Sequence, residues 1–141
     1  MQNELIIYPA IGMFALTFGM LMNLGISRLR AIRSREISIK YYQAYTEGEQ
    51  TQRLHILGRH VQNHFEVPPL FYAAVLLLLI THGVGWLSVV LAWLFLALRC
   101  LHSVIHLGRN NVSHRFFCFG SSVLVLAGLW ATLFIHVLTS I

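Results

Sequence analysis

The sequence predicts an all-α integral membrane protein, a transmembrane four-helix bundle built from a single domain of 141 residues. Composition is the first reason, because 57% of the residues are hydrophobic and 11% are charged, whereas a typical soluble domain is about 25% charged. The second reason is that four largely apolar stretches approach the length of about 20 helical residues that a bilayer requires. We expect these helices at about residues 5–30, 51–82, 86–107 and 113–139.

The positive charge is unevenly distributed along the chain. The net charge is +5, and all ten Lys and Arg residues fall within residues 28–59 and 99–115. Because cytoplasmic loops carry the excess of Lys and Arg, we expect residues 31–52 and 108–112 in the cytosol and both termini outside. Basic residues beside a membrane account for the net charge, so we expect no nucleic-acid partner. We expect a bacterial inner membrane, because the sequence shows no organelle signal.

The first helix and the segment that follows it need little special explanation. Pro9 is tolerated because it lies in the first turns of helix 1, where a missing backbone N–H is least costly. Arg28 ends the apolar part of this helix at the predicted cytosolic interface. Residues 31–52 form the one long polar segment, which we interpret as a solvated connection.

Helix 2 has an apolar run that is too short to cross a membrane. Residues 67–81 are fifteen in number, or about 22 Å of helix, whereas a bilayer core is about 30 Å thick. The helix must therefore extend upstream, which draws Arg59, Asn63 and Glu66 into the membrane edge on one helical face. The pair Pro68-Pro69 lies inside this helix and predicts a kink.

Helix 3 repeats the same pattern, and helix 4 adds to it. Residues 85–98 are fourteen in number, about 21 Å of helix, so Arg99, His102 and His106 fall within the span on one face. The turn between helices 2 and 3 is short, so the two helices are antiparallel neighbours whose polar faces lie at one depth. Arg115, in the first turn of helix 4, enters at a similar level.

These side chains predict a binding cavity with an excess of positive charge. Four arginines (28, 59, 99 and 115) face one carboxylate, Glu66, so a suitable ligand carries several carboxylates and an ammonium that Glu66 accepts. Asn63 offers a donor and an acceptor to a peptide-like amide. The alternative is that the arginines extend toward the headgroups, with Glu66 bridging Arg99.

The pattern Arg59-x3-Asn63-x2-Glu66, followed by Arg99-x2-His102-x3-His106 and then by Arg115, resembles the MAPEG superfamily. These membrane-associated proteins in eicosanoid and glutathione metabolism include the microsomal glutathione transferases. The resemblance covers nearly the whole chain, and it implies a homotrimer that binds glutathione between neighbouring subunits near the cytosolic face. It also implies that seven side chains hold the tripeptide: Arg28, Arg59, Asn63, Glu66, Arg99, His102 and His106.

The function implied by this resemblance is a glutathione transferase with Arg115 as the catalytic residue beside the sulfur. A thiol with a pKa of about 8.5 is little ionised at pH 7, and a nearby guanidinium favours the thiolate that attacks a lipophilic electrophile. His106 replaces a tyrosine of many members and Gln62 an arginine of some, so it stays open which reaction runs, whether any does, and whether peroxidase activity accompanies conjugation. The alternative is a non-catalytic trimeric membrane protein that binds an anionic metabolite or a lipid headgroup.

The histidines and cysteines suggest other interpretations. His60/His64 and His102/His106 are i, i+4 pairs, a spacing that suits a metal or haem. We predict no metal, because a Glu-x-x-His pair is absent and because helix 2 should not direct its histidines and its Arg59 face toward the same neighbour. Cys118, one turn from Arg115, is interpreted as a buried apolar cysteine rather than a reactive thiol.

Overall fold

The computed structural model describes residues 2–44, 50–108 and 111–140, which form six helices and no strand. The helices are α1 (Gln2–Arg33), α2 (Tyr41–Ala44), α3 (Gln52–Glu66), α4 (Pro68–Ile80), α5 (Trp86–Leu107) and α6 (Val112–Thr139). With α3 and α4 taken together, this part of the chain contains four helical spans long and apolar enough to cross a bilayer. The predicted all-α transmembrane bundle is therefore confirmed. The parts of the two predicted loops at residues 45–49 and 109–110 lie outside the described residues.

The second span is broken at Val67, where the sequence predicted a kink. α3 ends at Glu66, and Pro68 and Pro69 hold the first two positions of α4. Proline is well suited to those positions, because the first backbone N–H groups of a helix have no partner within it. α4 has 13 residues, or about 20 Å of helix. The second span therefore reaches the thickness of a bilayer only by including the more polar α3.

The turn between α4 and α5 is held against the end of α6. The His136 ring donates a hydrogen bond from Nε2 to the Thr81 carbonyl over 3.0 Å. A Cβ at Gly83 would overlap that same ring, so only glycine allows the turn to approach α6 this closely. These contacts fix α4, α5 and α6 as neighbours at the end of the bundle opposite the start of α6.

An apolar core fills the half of the bundle nearest this turn. The rings of Phe71 on α4 and Phe95 on α5 are fully buried and stack with 4.5 Å between their centroids. The other buried apolar residues of this core are Ile6, Met13, Ala74, Val75, Leu78, Val84, Val89, Ala92, Leu126, Leu129 and Leu133. A second buried apolar cluster joins α1 to α3 and consists of Leu24, Ala31, Ile37, Leu54, Leu57 and Val61.

The buried face of α5 changes character one turn after Phe95. Its first half buries Val89, Ala92 and Phe95, whereas its second half buries only polar side chains. These are Arg99, His102, Ser103 and His106. Buried polar groups in a membrane protein are costly and mark functional sites, so this half of the bundle is where a site is expected.

Replacing Phe71 with Ala should strongly destabilise the bundle. The substitution removes one ring of the buried stack, and large-to-small changes of this kind cost about 3–5 kcal/mol. Thermal unfolding of the detergent-solubilised protein measures the effect. The matched control is Phe134→Ala on α6, because that ring is 64% exposed and should change stability little. Equal effects of the two substitutions would contradict the described core.

Candidate functional site

A polar cavity of about 320 Å³ lies between α3, the end of α5 and the start of α6. Its volume lies in the range of small-molecule sites, about 300–1,000 Å³. Six of the eight predicted site residues line it: Arg59, Asn63, Glu66, His102, His106 and Arg115. The remaining lining residues are Gln62, Val112, Phe116 and Phe119. The structure thus gathers polar side chains from three helices at one place, with two guanidinium groups against one carboxylate.

α3 presents two different faces because of its helical repeat. Arg59 and Glu66 are exposed on the cavity side, whereas His60 and His64 are buried on the other. Gln62 also faces the cavity, and its Nε2 donates a hydrogen bond to Glu66 Oε1 over 3.1 Å. Gln62, which departs from the family pattern, therefore orients the one carboxylate of the cavity.

α5 and α6 are joined at the cavity through Arg115. His102 Nδ1 lies 3.2 Å from the Arg115 carbonyl, and since a carbonyl only accepts, this ring nitrogen is the donor. His106 Nε2 lies 3.5 Å from a terminal nitrogen of the Arg115 guanidinium. Two buried histidines of α5 thus hold both the backbone and the side chain of Arg115.

Asn111 fixes the turn of α6 from which Arg115 projects. Its side-chain oxygen accepts hydrogen bonds from the backbone N–H groups of Ser113 and His114, at 3.1 and 3.3 Å. Its carbonyl accepts from the Arg115 backbone N–H over 3.0 Å. Sequence reasoning missed this residue, although an asparagine directly before an apolar helix is a typical N-cap.

Arg99 does not line the cavity but lies buried next to it. Its side chain is 1% exposed, and none of its three guanidinium nitrogens has a hydrogen-bond partner among the described residues. The guanidinium lies over the rings of Phe95 and Phe119, 5.2 and 5.0 Å from their centroids. The expected alternative of a Glu66–Arg99 bridge is wrong, because Glu66 is exposed and bonded to Gln62. A cation–π contact stabilises a buried cation by about 2 kcal/mol, which is less than the several kcal/mol that burying a charge costs. The two phenylalanine rings therefore do not fully offset the burial of this guanidinium.

Arg28 is not brought to the cavity within this chain. It projects from α1, and its guanidinium carbon lies 5.4 Å from the centroid of the Tyr42 ring. Of the eight predicted residues, Arg28 and Arg99 are therefore the two outside the cavity lining.

A cluster of buried histidines, which sequence reasoning set aside, lies on the inner side of the cavity wall. The His60 ring lies 5.6 Å from the His102 ring and 4.8 Å from the His106 ring, measured between centroids. His64 Nε2 lies 3.3 Å from His60 Nε2. Both faces of α3 therefore lie next to α5, contrary to the prediction, because His102 and His106 line the cavity and also contact His60. The sequence did contain a signal for this buried face, which is the helical spacing of Leu57, His60, Val61 and His64.

The fold and the cavity together define the class of protein. It is an integral membrane protein of four helical spans with a positively charged cavity at one end of the bundle. The chain belongs to the MAPEG family, whose sequence model matches residues 6–135, nearly the whole chain. No curated protein and no solved structure matches it. Family membership indicates a membrane function related to glutathione or eicosanoids.

Asn111→Ala should loosen the first turn of α6. The substitution leaves two backbone N–H groups without their acceptor, which costs about 1 kcal/mol at an N-cap. Asn111→Asp keeps the acceptor oxygen and should retain the stability of the parent protein. Thermal unfolding of both variants in the same detergent compares them. If Ala and Asp were equally stable, the cap would have no part in holding the turn that carries Arg115.

Proposed function

We propose that the cavity binds glutathione and promotes attack of its thiolate on a lipophilic electrophile, which makes the protein a glutathione transferase. The observation that carries this proposal is the convergence of Arg59, Asn63, Glu66, His102, His106 and Arg115 on one cavity in a chain of the MAPEG family.

The lining of the cavity is complementary to the functional groups of glutathione. At neutral pH the tripeptide carries two carboxylates, one ammonium group and two peptide bonds. Arg59 offers a planar fork of donors to a carboxylate, and Glu66 accepts from the ammonium. Asn63 provides both a donor and an acceptor for a peptide group.

We assign to Arg115 the role of stabilising the thiolate sulfur of glutathione. It is half-buried at the cavity wall, and its position is fixed by Asn111, His102 and His106. A guanidinium that lowers the pKa of the thiol by two units would stabilise the thiolate by about 2.7 kcal/mol. Val112, Phe116 and Phe119 form the apolar side of the cavity, where a lipophilic electrophile would enter from the membrane.

A homotrimer is part of this proposal. Arg28 lies against Tyr42 and does not line the cavity of its own chain, so in this proposal it contacts the glutathione molecule bound to a neighbouring subunit. The cavity is also open to the outside, since Phe116 at its edge is 78% exposed. Closed symmetric association is the usual form of homo-oligomers, and it would place each Arg28 at an equivalent site.

Arg59→Ala should weaken glutathione binding, whereas Arg115→Ala should mainly lower turnover. Losing a hydrogen bond to a charged group costs about 1.5–3 kcal/mol, or about 10–100-fold in affinity. Calorimetric titration of the detergent-solubilised protein with glutathione measures affinity, and an aryl halide acceptor measures turnover. Arg53→Ala, on the same helix but outside the cavity lining, is the control.

Two outcomes separate the proposal from its alternatives. Binding without turnover would favour a non-catalytic protein that binds an anionic metabolite or a lipid headgroup. An unchanged ultraviolet absorbance of the bound thiolate in Arg115→Ala would refute the role of Arg115. If the parent protein neither binds glutathione nor turns it over, the transferase proposal is overturned.

Mixing two inactive variants tests whether the site is shared between subunits. In a mixed trimer of Arg28→Ala and Arg115→Ala chains, some cavities receive Arg115 from one subunit and Arg28 from the next. At equal expression about one site in four regains both residues. Co-expressed variants should therefore turn over more glutathione than either variant alone. Activity no higher than the mean of the single variants would contradict an intersubunit site.

A further inference from the structure

Three imidazoles from two helices meet in the interior of the bundle. His60 of α3 and His102 and His106 of α5 are each at most 3% exposed. One ring nitrogen can be chosen from each residue, either Nδ1 or Nε2, such that all three lie within 4.8 Å of one another. Each ring also has a buried nitrogen without a hydrogen-bond partner among the described residues: Nδ1 of His60, Nε2 of His102 and Nδ1 of His106. Buried polar atoms are normally satisfied, so three unpartnered imidazole nitrogens in one cluster point to a ligand.

We propose that His60, His102 and His106 form a binding site for a divalent transition metal, with Zn²⁺ as the fitting ion. Imidazole is a preferred ligand of zinc, copper and nickel, whereas calcium and magnesium prefer oxygen. Three protein ligands leave the fourth tetrahedral position open, as in catalytic rather than structural zinc sites.

The hydrogen bonds of His60 leave a lone pair on its unpartnered nitrogen. The Ser103 hydroxyl donates its one hydrogen to the Arg99 carbonyl over 2.9 Å. Its oxygen must therefore accept from His60 Nε2, which lies 3.0 Å away. In the neutral ring the proton is then on Nε2, and Nδ1 carries the lone pair. A hydrogen bond that orients the ring from its far nitrogen is typical of histidine ligands to metals.

His102 is also oriented by a hydrogen bond, but the roles of its two ring nitrogens are the reverse of those in His60. Its Nδ1 donates to the Arg115 carbonyl over 3.2 Å, so in the neutral ring the lone pair is on Nε2, which has no partner in the part of the chain that the structure describes. Two of the three rings thus present a lone pair whose orientation is fixed by serine or by backbone.

The third ring must exchange its hydrogen-bond role when a metal binds. His106 Nε2 faces a nitrogen of the Arg115 guanidinium, which only donates, so its proton is on Nδ1. To ligate through Nδ1, His106 must carry the proton on Nε2 instead, which breaks this 3.5 Å contact. Metal binding therefore requires Arg115 to turn away from His106.

Binding of a zinc ion would require the three histidine rings to move slightly closer together. With Zn–N bonds of about 2.0–2.1 Å, tetrahedral ligand atoms lie about 3.3 Å apart, so the most distant nitrogens, now within 4.8 Å, must approach by about 1.5 Å. Side-chain rotation supplies such a shift. The buried guanidinium of Arg99, next to Phe119 and one turn before Ser103, repels a dication, so the metal would bind together with an anion such as hydroxide as its fourth ligand.

Titration with the metal alone tests this site. The full-length protein, freed of any polyhistidine tag and stripped with a chelator, is titrated in detergent with Zn²⁺ by calorimetry, without glutathione. We expect one Zn²⁺ per chain in the parent protein and in His55→Gln, whose ring is exposed on the same helix. In His60→Gln the affinity should fall more than 100-fold, because even the loss of an outer hydrogen bond costs about 10–100-fold. Ser103→Ala leaves all three ligands in place but removes the hydroxyl that orients His60 and that also bonds to the Arg99 carbonyl, and it should lose about 10–100-fold.

Co²⁺ provides a readout that does not depend on the variants. Bound in place of Zn²⁺ in the parent protein, it should show the intense visible bands of a tetrahedral site. Absence of these bands, or of stoichiometric Zn²⁺, overturns the proposal. Equal Zn²⁺ affinity of His60→Gln and His55→Gln overturns it as well. Since His60 does not line the glutathione cavity, a failure here is distinct from a failure of the transferase proposal, which is measured by glutathione binding in the metal-free protein.

Discussion

This structure depends on one constraint: the apolar runs of its second and third spans are shorter than the bilayer core is thick. α4 supplies only 13 residues and begins at a proline, so the second span must take in α3 with its arginine, asparagine and glutamate. The apolar face of α5 likewise ends at Phe95, and its remaining turns bury a guanidinium and three other polar side chains. Since lipid cannot solvate such groups, they must turn inward toward one another, and a polar layer forms at one end of the bundle.

The two faces of α3 divide this polar layer into an open and a closed part. Arg59 and Glu66 face the cavity, whereas His60 and His64 face the interior, and both sets reach the same pair of α5 histidines. His102 and His106 are therefore the wall between a cavity accessible to ligands and a buried cluster. The Arg99 guanidinium, which has no hydrogen-bond partner within the described ranges, lies beside this wall, so a negative charge on a ligand is favoured on either side.

Hydrophobic run length and helical spacing were enough to predict the bundle and most of the cavity. They predicted that Arg59, Asn63 and Glu66 share a face and that His102, His106 and Arg115 lie at the same depth. They could not predict that Phe119 would lie over Arg99, because that contact depends on how α6 packs on α5. The orientation of His60 was missed because its pairing with His102 and His106 depends on how α3 is rotated about its axis. The position of Arg28 against Tyr42, outside the cavity lining, depends on the path of the chain after α1, which helical spacing does not determine.

His102 and His106 also connect the two proposed functions of this polar layer, glutathione binding in the cavity and metal binding in the buried cluster. The Arg115 guanidinium contacts His106 through the ring nitrogen that would have to carry a proton if the opposite nitrogen bound a metal. A filled metal site would therefore release Arg115 from His106, whereas an empty site holds it there. Because Arg115 is the residue assigned to the thiolate, the charge available at the sulfur would depend on the state of a cluster that includes His60, which lies outside the cavity lining. By linkage, a thiolate that draws Arg115 away from His106 would favour metal binding to the same extent.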